Sequence, residues 1–285
     1  MFAKLLKHEW KATRGLLGVF TLAALIAGGI GALALRFIAS YTDGMLNGTI
    51  NEQNIEKAQI ESLAMGGLGT LLFFVMLALV AYYLGTQIVL LYRFYKNKFT
   101  DEGYLTFTLP VKTHQILAAS WLNMLIWLVI STLVVLICAA MMVLTATAGI
   151  KIPGVDIWGD ALNFYTTNYT DSVASLGEFV ALSVGSGLLE WIITPLIAMT
   201  CITIGAVGAK KHKILLAIAV YYGYSMVSGI ISTVVTTVVS ITGFQSGASS
   251  VINMSVVCAM LIQAMLALIC WFLTNYLINR KLNLP

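Results

Sequence analysis

Groups able to do acid–base, nucleophilic or metal chemistry are few in this chain and lie far apart. Three histidines occur, His8, His114 and His212, each beside basic residues. A metal site needs them to converge with carboxylates or thiolates, and their placement predicts none. There is no H-E-x-x-H pair. There is also no G-x-x-x-x-G-K-[ST] phosphate loop, so ATP hydrolysis through such a loop is excluded. Cys138, Cys201, Cys258 and Cys270 sit inside apolar runs without C-x-x-C spacing, and read as small buried hydrophobes. Glu190 is the one clear intramembrane acid. An ionised group in hydrocarbon marks function by default, giving a substrate or gating role, whereas at the outer interface the same residue is an anchor.

The clearest polar pattern is a stripe of Tyr221, Ser225, Ser228, Ser232, Thr236 and Ser240, recurring every three or four residues and widened by Tyr222, Tyr224, Thr233 and Thr237. Small hydroxyl residues let membrane helices pack closely and bond one another or their own carbonyls. The same face could line a translocation path or a subunit seam. Gly28, Gly29 and Gly31, then Gly66, Gly67 and Gly69, then Gly205 and Gly208, read as close-packing positions.

The elements that must hold these residues are membrane helices. Of 285 residues, 59% are hydrophobic and only 10% charged, where a soluble domain carries about 25% charged residues. Six apolar runs, Gly15–Leu35, Met65–Tyr92, Ile116–Thr147, Leu176–Gly208, Ile214–Ile241 and Ile252–Ile278, each exceed or approach the roughly 20 residues that span about 30 Å of hydrocarbon as a helix. A β-barrel would need short alternating segments instead. The expectation is an all-α integral membrane domain over 15–285 with six transmembrane helices, preceded by an amphipathic interfacial helix over 1–14. In that lead-in Lys4, Lys7, Lys11 and Arg14 form one stripe opposite Phe2, Leu5, Leu6 and Trp10. This suits a helix lying in the headgroup region, with a plain solvated start as the alternative. A secretory signal ending near Ala32-Leu33-Ala34 is the other reading of this stretch, and the long amphipathic lead favours a retained helix.

Charge sets the expected orientation. The start, Arg93–Lys112, Lys210–Lys213 and Arg280–Lys281 together hold all the basic residues except Arg36, Lys57 and Lys151. The positive-inside rule puts both termini and that basic side in the cytoplasm. Outer loops are then expected at 40–64, 148–175 and 242–251, none large enough for a catalytic domain. The net charge of +4 sums a basic inner face and an acidic outer one, which suits anionic lipid heads and gives no reason to expect nucleic acid. Helix four has surplus length. Counting inward places Glu190 and Trp191 at the outer interface, with Pro195 able to bend the helix below them, so that Leu176–Leu189 would project, lie on the surface or re-enter.

The inner loop, about 93–113, mixes charges with Phe99, Tyr104, Leu105, Phe107 and Leu109. A solvated connection does not need so many large apolar groups, so this one lies on the membrane or docks into a partner. Thr100-Asp101-Glu102 suits the start of a short helix and Pro110 ends the segment. Arg93-Phe-Tyr-Lys-Asn, Asp101-Glu-Gly-Tyr-Leu-Thr-Phe-Thr-Leu-Pro-Val111, the Ala209–Ile214 turn and the Phe2–Trp10 start resemble the permease subunits of ABC exporters, the type V class common in Firmicutes.

That resemblance implies a chain that is not itself an enzyme and holds no cofactor. Two copies of a separate ATPase subunit would bind ATP and Mg, and a second permease subunit would complete a homo- or heterodimer. Asp101, Glu102, Tyr104, Leu105, Phe107, Leu109 and Pro110 would form the coupling helix in the ATPase groove, with Lys211 and His212 as a second contact. The lead-in would be a connecting helix on the membrane surface, and helices two and five would line the dimer seam. The implied function is export by alternating access across a bacterial cytoplasmic membrane. Two alternatives remain open: a secondary transporter, and a sensing or anchoring subunit of an antimicrobial-peptide resistance complex.

Overall fold

A computed structural model describes residues 2–46, 55–100, 103, 111–149, 159–160, 163, 167, 176–209, 211–242 and 248–281. Six long helices order the chain: α1 (Phe2–Leu46), α2 (Ile55–Phe99), α3 (Thr113–Gly149), α4 (Leu176–Gly208), α5 (Lys213–Thr242) and α6 (Ala248–Lys281). Each contains a stretch long and apolar enough to cross a bilayer, and no strand occurs among the described residues. The protein is a multi-pass, all-α membrane protein, as its composition required.

The helices overrun the apolar runs that announce them. α1 and α2 have 45 residues each, about 67 Å at 1.5 Å per residue and twice the hydrocarbon thickness. The lead-in is therefore continuous with the first span, with no boundary at Arg14. Nothing in the sequence there ends a helix, since the segment has no proline and Gly15 only lowers propensity. Outer connections expected at 40–64 and 242–251 are shortened in the same way, because α1 reaches Leu46, α2 begins at Ile55, and α5 and α6 extend to Thr242 and back to Ala248. At the other end α2 runs through Arg93, Lys96 and Lys98 to Phe99. Basic side chains in a last turn favour the negative end of the helix dipole. Beyond it, Gly103 is helical, with its N–H on the Thr100 carbonyl at 2.7 Å. In the outer connection expected at 148–175, Gly159, Asp160, Asn163 and Thr167 are helical.

Two compact units divide the chain. One comprises Lys11–Ile88 and Trp127–Asp160. Its core joins Ala24 and Ala32 of α1, Val75, Leu79 and Tyr82 of α2, and Val134, Cys138 and Met142 of α3. Two glycines allow this approach. A Cβ on Gly28 would lie 2.8 Å from the Cys138 Cβ, and one on Gly31 would lie 2.8 Å from Val75 Cγ1. The Cys138 thiol donates to the Ala24 carbonyl at 3.7 Å, and the Trp127 indole donates to the Thr13 hydroxyl at 2.9 Å.

The other unit comprises Met1–Trp10, Val89–Ile126 and Ala161–Pro285. Here α4 is the shared partner of α5 and α6, over a core of Ile193, Ile197, Cys201 and Ala267. Gly205 and Gly208 make the α4–α5 turn tight: a Cβ on Gly205 would stand 2.6 Å from the Lys213 carbonyl oxygen. Gly29, Gly66, Gly67 and Gly69, read from sequence as packing positions too, have open space where a Cβ would stand. The stretch Leu176–Leu189 is continuous with the rest of α4. The helix runs unbroken from Leu176, and Gly185 faces the Met260 side chain of α6, whose terminal carbon lies 3.6 Å from where a Cβ would be. Pro195 sits inside α4 and lacks the N–H that the Trp191 carbonyl would accept. The Trp121 indole of α3 donates to the adjacent Ile192 carbonyl at 3.1 Å, placing a side-chain donor where the ladder is weakened.

Candidate functional site

On α4, Glu190, Ile193, Thr194 and Ile197 recur at the spacing of one helix face. On α5, Tyr224, Ser225, Ser228 and Ser232 do the same, and on α6 Ala259, Gln263 and Leu266 do so. These three faces enclose a groove of about 410 Å³ within a single unit. Its depth follows from helix rise. Glu190, Ser232 and Gln263 each lie roughly 18 residues, or about 27 Å, from the basic end of their own helix, at Gly208, Lys213 and Lys281 respectively. Three polar side chains from three helices thus share one level, close to the membrane edge remote from the basic end.

Glu190, Thr194, Ser225 and Ser232 are exposed, whereas Ser228, Tyr224 and Gln263 are half-buried, so the groove opens sideways and has an inner wall. Its polar wall exists because α5 satisfies its hydroxyls locally: Ser228 donates to the Ser225 carbonyl at 3.1 Å, Thr236 to Ser232 at 2.9 Å and Ser240 to Thr236 at 2.7 Å. Each oxygen keeps acceptor capacity for something else. Towards the basic end, Thr200 of α4 and Thr274 of α6 place their hydroxyls 2.9 Å apart and fasten the two walls. Interhelical hydroxyl bonding, one of the two readings of the α5 stripe, is found on this neighbouring pair.

The groove sorts the residues that the sequence had put on a path or seam. Glu190, Ser225, Ser228 and Ser232 come together. Tyr221 and Thr236 do not line it. Tyr221 is exposed and meets Tyr222 edge-on at 6.3 Å between ring centres, and Thr236 donates to the Ser232 and Thr233 carbonyls of its own helix. Thr194 and Gln263 were not read from the sequence. Gln263 had a usable signal, as the one glutamine in the apolar run 252–278.

No family model, no curated protein and no solved structure matches this chain.

At the basic end, Tyr95 of α2 meets Lys211, His212 and Lys213 around a concavity of about 580 Å³, again within one unit. The end of α2 and the basic α4–α5 turn, far apart in sequence, therefore border one concavity. Asp101, Glu102, Tyr104, Leu105, Phe107, Leu109 and Pro110 lie outside the described residues. Lys4, Lys7, Lys11 and Arg14 are exposed and Trp10 is half-buried.

The face opposite that basic stripe carries an acid that the lead-in reading left unused. Glu9 Oε1 pairs with Lys98 Nζ at 3.2 Å and accepts from the Ser120 hydroxyl at 3.3 Å. The two charged side chains are 13% and 3% exposed. Lead-in, loop stem and the start of α3 are thus tied by one carboxylate oxygen. Among the described residues no group of three or more His, Cys, Asp or Glu is placed to hold a metal.

Proposed function

We propose that this chain is the transmembrane permease subunit of an ATP-driven ABC exporter in a bacterial cytoplasmic membrane, with its basic end and both termini in the cytoplasm. The observation that carries the reading is the shared concavity of Tyr95 with Lys211–Lys213. The end of α2, which leads into the first of the two connections that resemble ATPase-contacting segments, borders the same concavity as the second, and this supports a single docked partner. The stem of the first is held in place by the Lys98–Glu9 pair. Motion imposed there would pass into α2, and through the short Gly208–Lys213 turn into α4 and α5, which wall the groove.

In this reading ATP and Mg belong to two copies of a partner ATPase. A second permease subunit completes the membrane part, and alternating access moves cargo outward. The exposed faces of α2 and α5, with Phe73, Phe74, Met226 and Ile230 bare in the single chain, supply apolar surface for such a seam. One observation favours a second reading, a carrier driven by an ion gradient: an acid, Glu190, stands at the membrane groove.

The test is co-purification from the native host. An ATPase subunit should accompany the tagged chain. Lys211→Glu with His212→Glu, or Asp101→Lys with Glu102→Lys, should remove it at least tenfold without lowering membrane insertion. An unchanged yield of ATPase with both double variants sinks the docking assignment. Gradient-driven uptake by the purified chain alone, lost in Glu190→Gln, would establish the carrier instead.

A further inference from the structure

We infer that the groove between α4, α5 and α6 binds a small cationic amphiphile, an ammonium headgroup on an alkyl body, drawn sideways from the membrane. As a step in transport this rests on the permease reading; as a binding site it stands without it.

Charge selects the headgroup. Glu190 is the one ionisable acid of the lining and no basic residue accompanies it. Among the described residues no cation pairs with its carboxylate. A carboxylate at a membrane edge, where the effective dielectric is well below that of water, attracts a cation strongly and repels an anion. Around it, the oxygens of Ser228, Ser232 and Gln263 can accept from an N–H group or solvate N-methyl groups. Tyr224 offers an aromatic face of the kind that attracts ammonium ions.

The body of the ligand is set by the remaining wall. Ile193, Ile197, Ile262 and Leu266 form an apolar floor running towards the basic end, so a headgroup at the level of Glu190 would leave its chain on hydrocarbon. A volume of about 410 Å³ is within the size range of small-molecule sites. Entry needs no opening through the bundle, because Glu190, Thr194, Ser225 and Ser232 are exposed on the lateral face. A zwitterionic lipid would bring its phosphate against the same carboxylate, which disfavours the bulk membrane as occupant.

The experiment measures equilibrium binding of radiolabelled dodecyltrimethylammonium to the full chain in nanodiscs of neutral phospholipid, with empty nanodiscs as the partition control. Saturable binding is expected, competed by unlabelled probe and not by dodecyl sulfate. Glu190→Gln should weaken it about tenfold, and Glu190→Asp should restore most of the affinity. Gly229→Leu is the second variant. A Cβ at Gly229 meets nothing within 4 Å, so the added side chain fills the groove without altering charge or packing, and should also weaken binding about tenfold.

Equal affinity in wild type, Glu190→Gln and Gly229→Leu overturns the site, as does a preference for dodecyl sulfate. Co-purification separates this from the transport reading. If the ATPase is retained and the variants bind equally, the groove assignment alone falls. If no ATPase is found while Glu190→Gln loses the probe, the site stands and the permease reading falls.

Discussion

Gly28→Ala should cost the protein about 2 kcal/mol of stability, whereas Gly29→Ala, one residue away, should raise it by about 1 kcal/mol. The two substitutions add the same methyl to the same helix and differ only in what that methyl meets. At Gly28 it would stand 2.8 Å from the Cβ and closer still to the sulfur of Cys138, which is fully buried and donates to the Ala24 carbonyl of α1. Neither backbone can yield without parting α1 from α3, so the cost is that of overpacking. At Gly29 nothing lies within 4 Å, and the gain of alanine over glycine in a helix remains. Reversible unfolding in mixed micelles reads both values. In a Cys138→Gly background Gly28→Ala should cost little further stability, since both atoms that the new methyl strikes are gone. Equal effects at Gly28 and Gly29 would mean that α1 and α3 do not meet at this point.

That contrast shows where the sequence was sufficient and where it was not. Six spans were legible because lipid leaves a continuous apolar run one solution, the helix, and each run is long enough to show it. Their ends were not, since polar residues such as Thr42 or Lys96 continue a helix in water as readily as they end it. α1 and α2 therefore run well past their apolar runs. Glycine clusters show that close packing is available, but not which member uses it. A Cβ at Gly28 or Gly31 would strike α3 or α2, while one at Gly66, Gly67 or Gly69 would meet nothing within 4 Å among the described residues.

The groove was legible in part. The α5 stripe and Glu190 were each conspicuous in an apolar background, yet nothing local tells that they stand at one depth. Gln263, on a third helix, could be added only by knowing that α6 runs opposite to α5 beside α4. The lead-in posed a different difficulty. An amphipathic face can be buried by lipid or by protein, and the wheel is the same for both. Glu9, an acid among Leu5, Leu6 and Trp10, is the sign that part of this face meets protein, where it pairs with the buried Lys98.

Removing that lysine should have the largest single effect in the molecule. Lys98→Met is expected to cost about 3–5 kcal/mol, because it takes from the enclosed Glu9 carboxylate the ammonium that stands 3.2 Å from it. Glu9→Gln should cost less than Lys98→Met, since a lysine in the last turn of α2 still benefits from the negative end of its helix dipole. The double variant Glu9→Gln with Lys98→Met should return to within about 1 kcal/mol of the wild type, because the gross attraction of a buried pair is largely cancelled by the desolvation of its members. The double loss, read from the four unfolding curves, would then fall short of the sum of the single losses by an amount of the order of the larger one. Additive losses in the double variant would show that Glu9 and Lys98 do not depend on one another. The same four proteins separate stability from action. The double variant restores the fold without the charge tie between the lead-in and the stem of the inner loop. If that tie transmits motion from a docked partner, the double variant should be stable, retain its partner, and transport poorly.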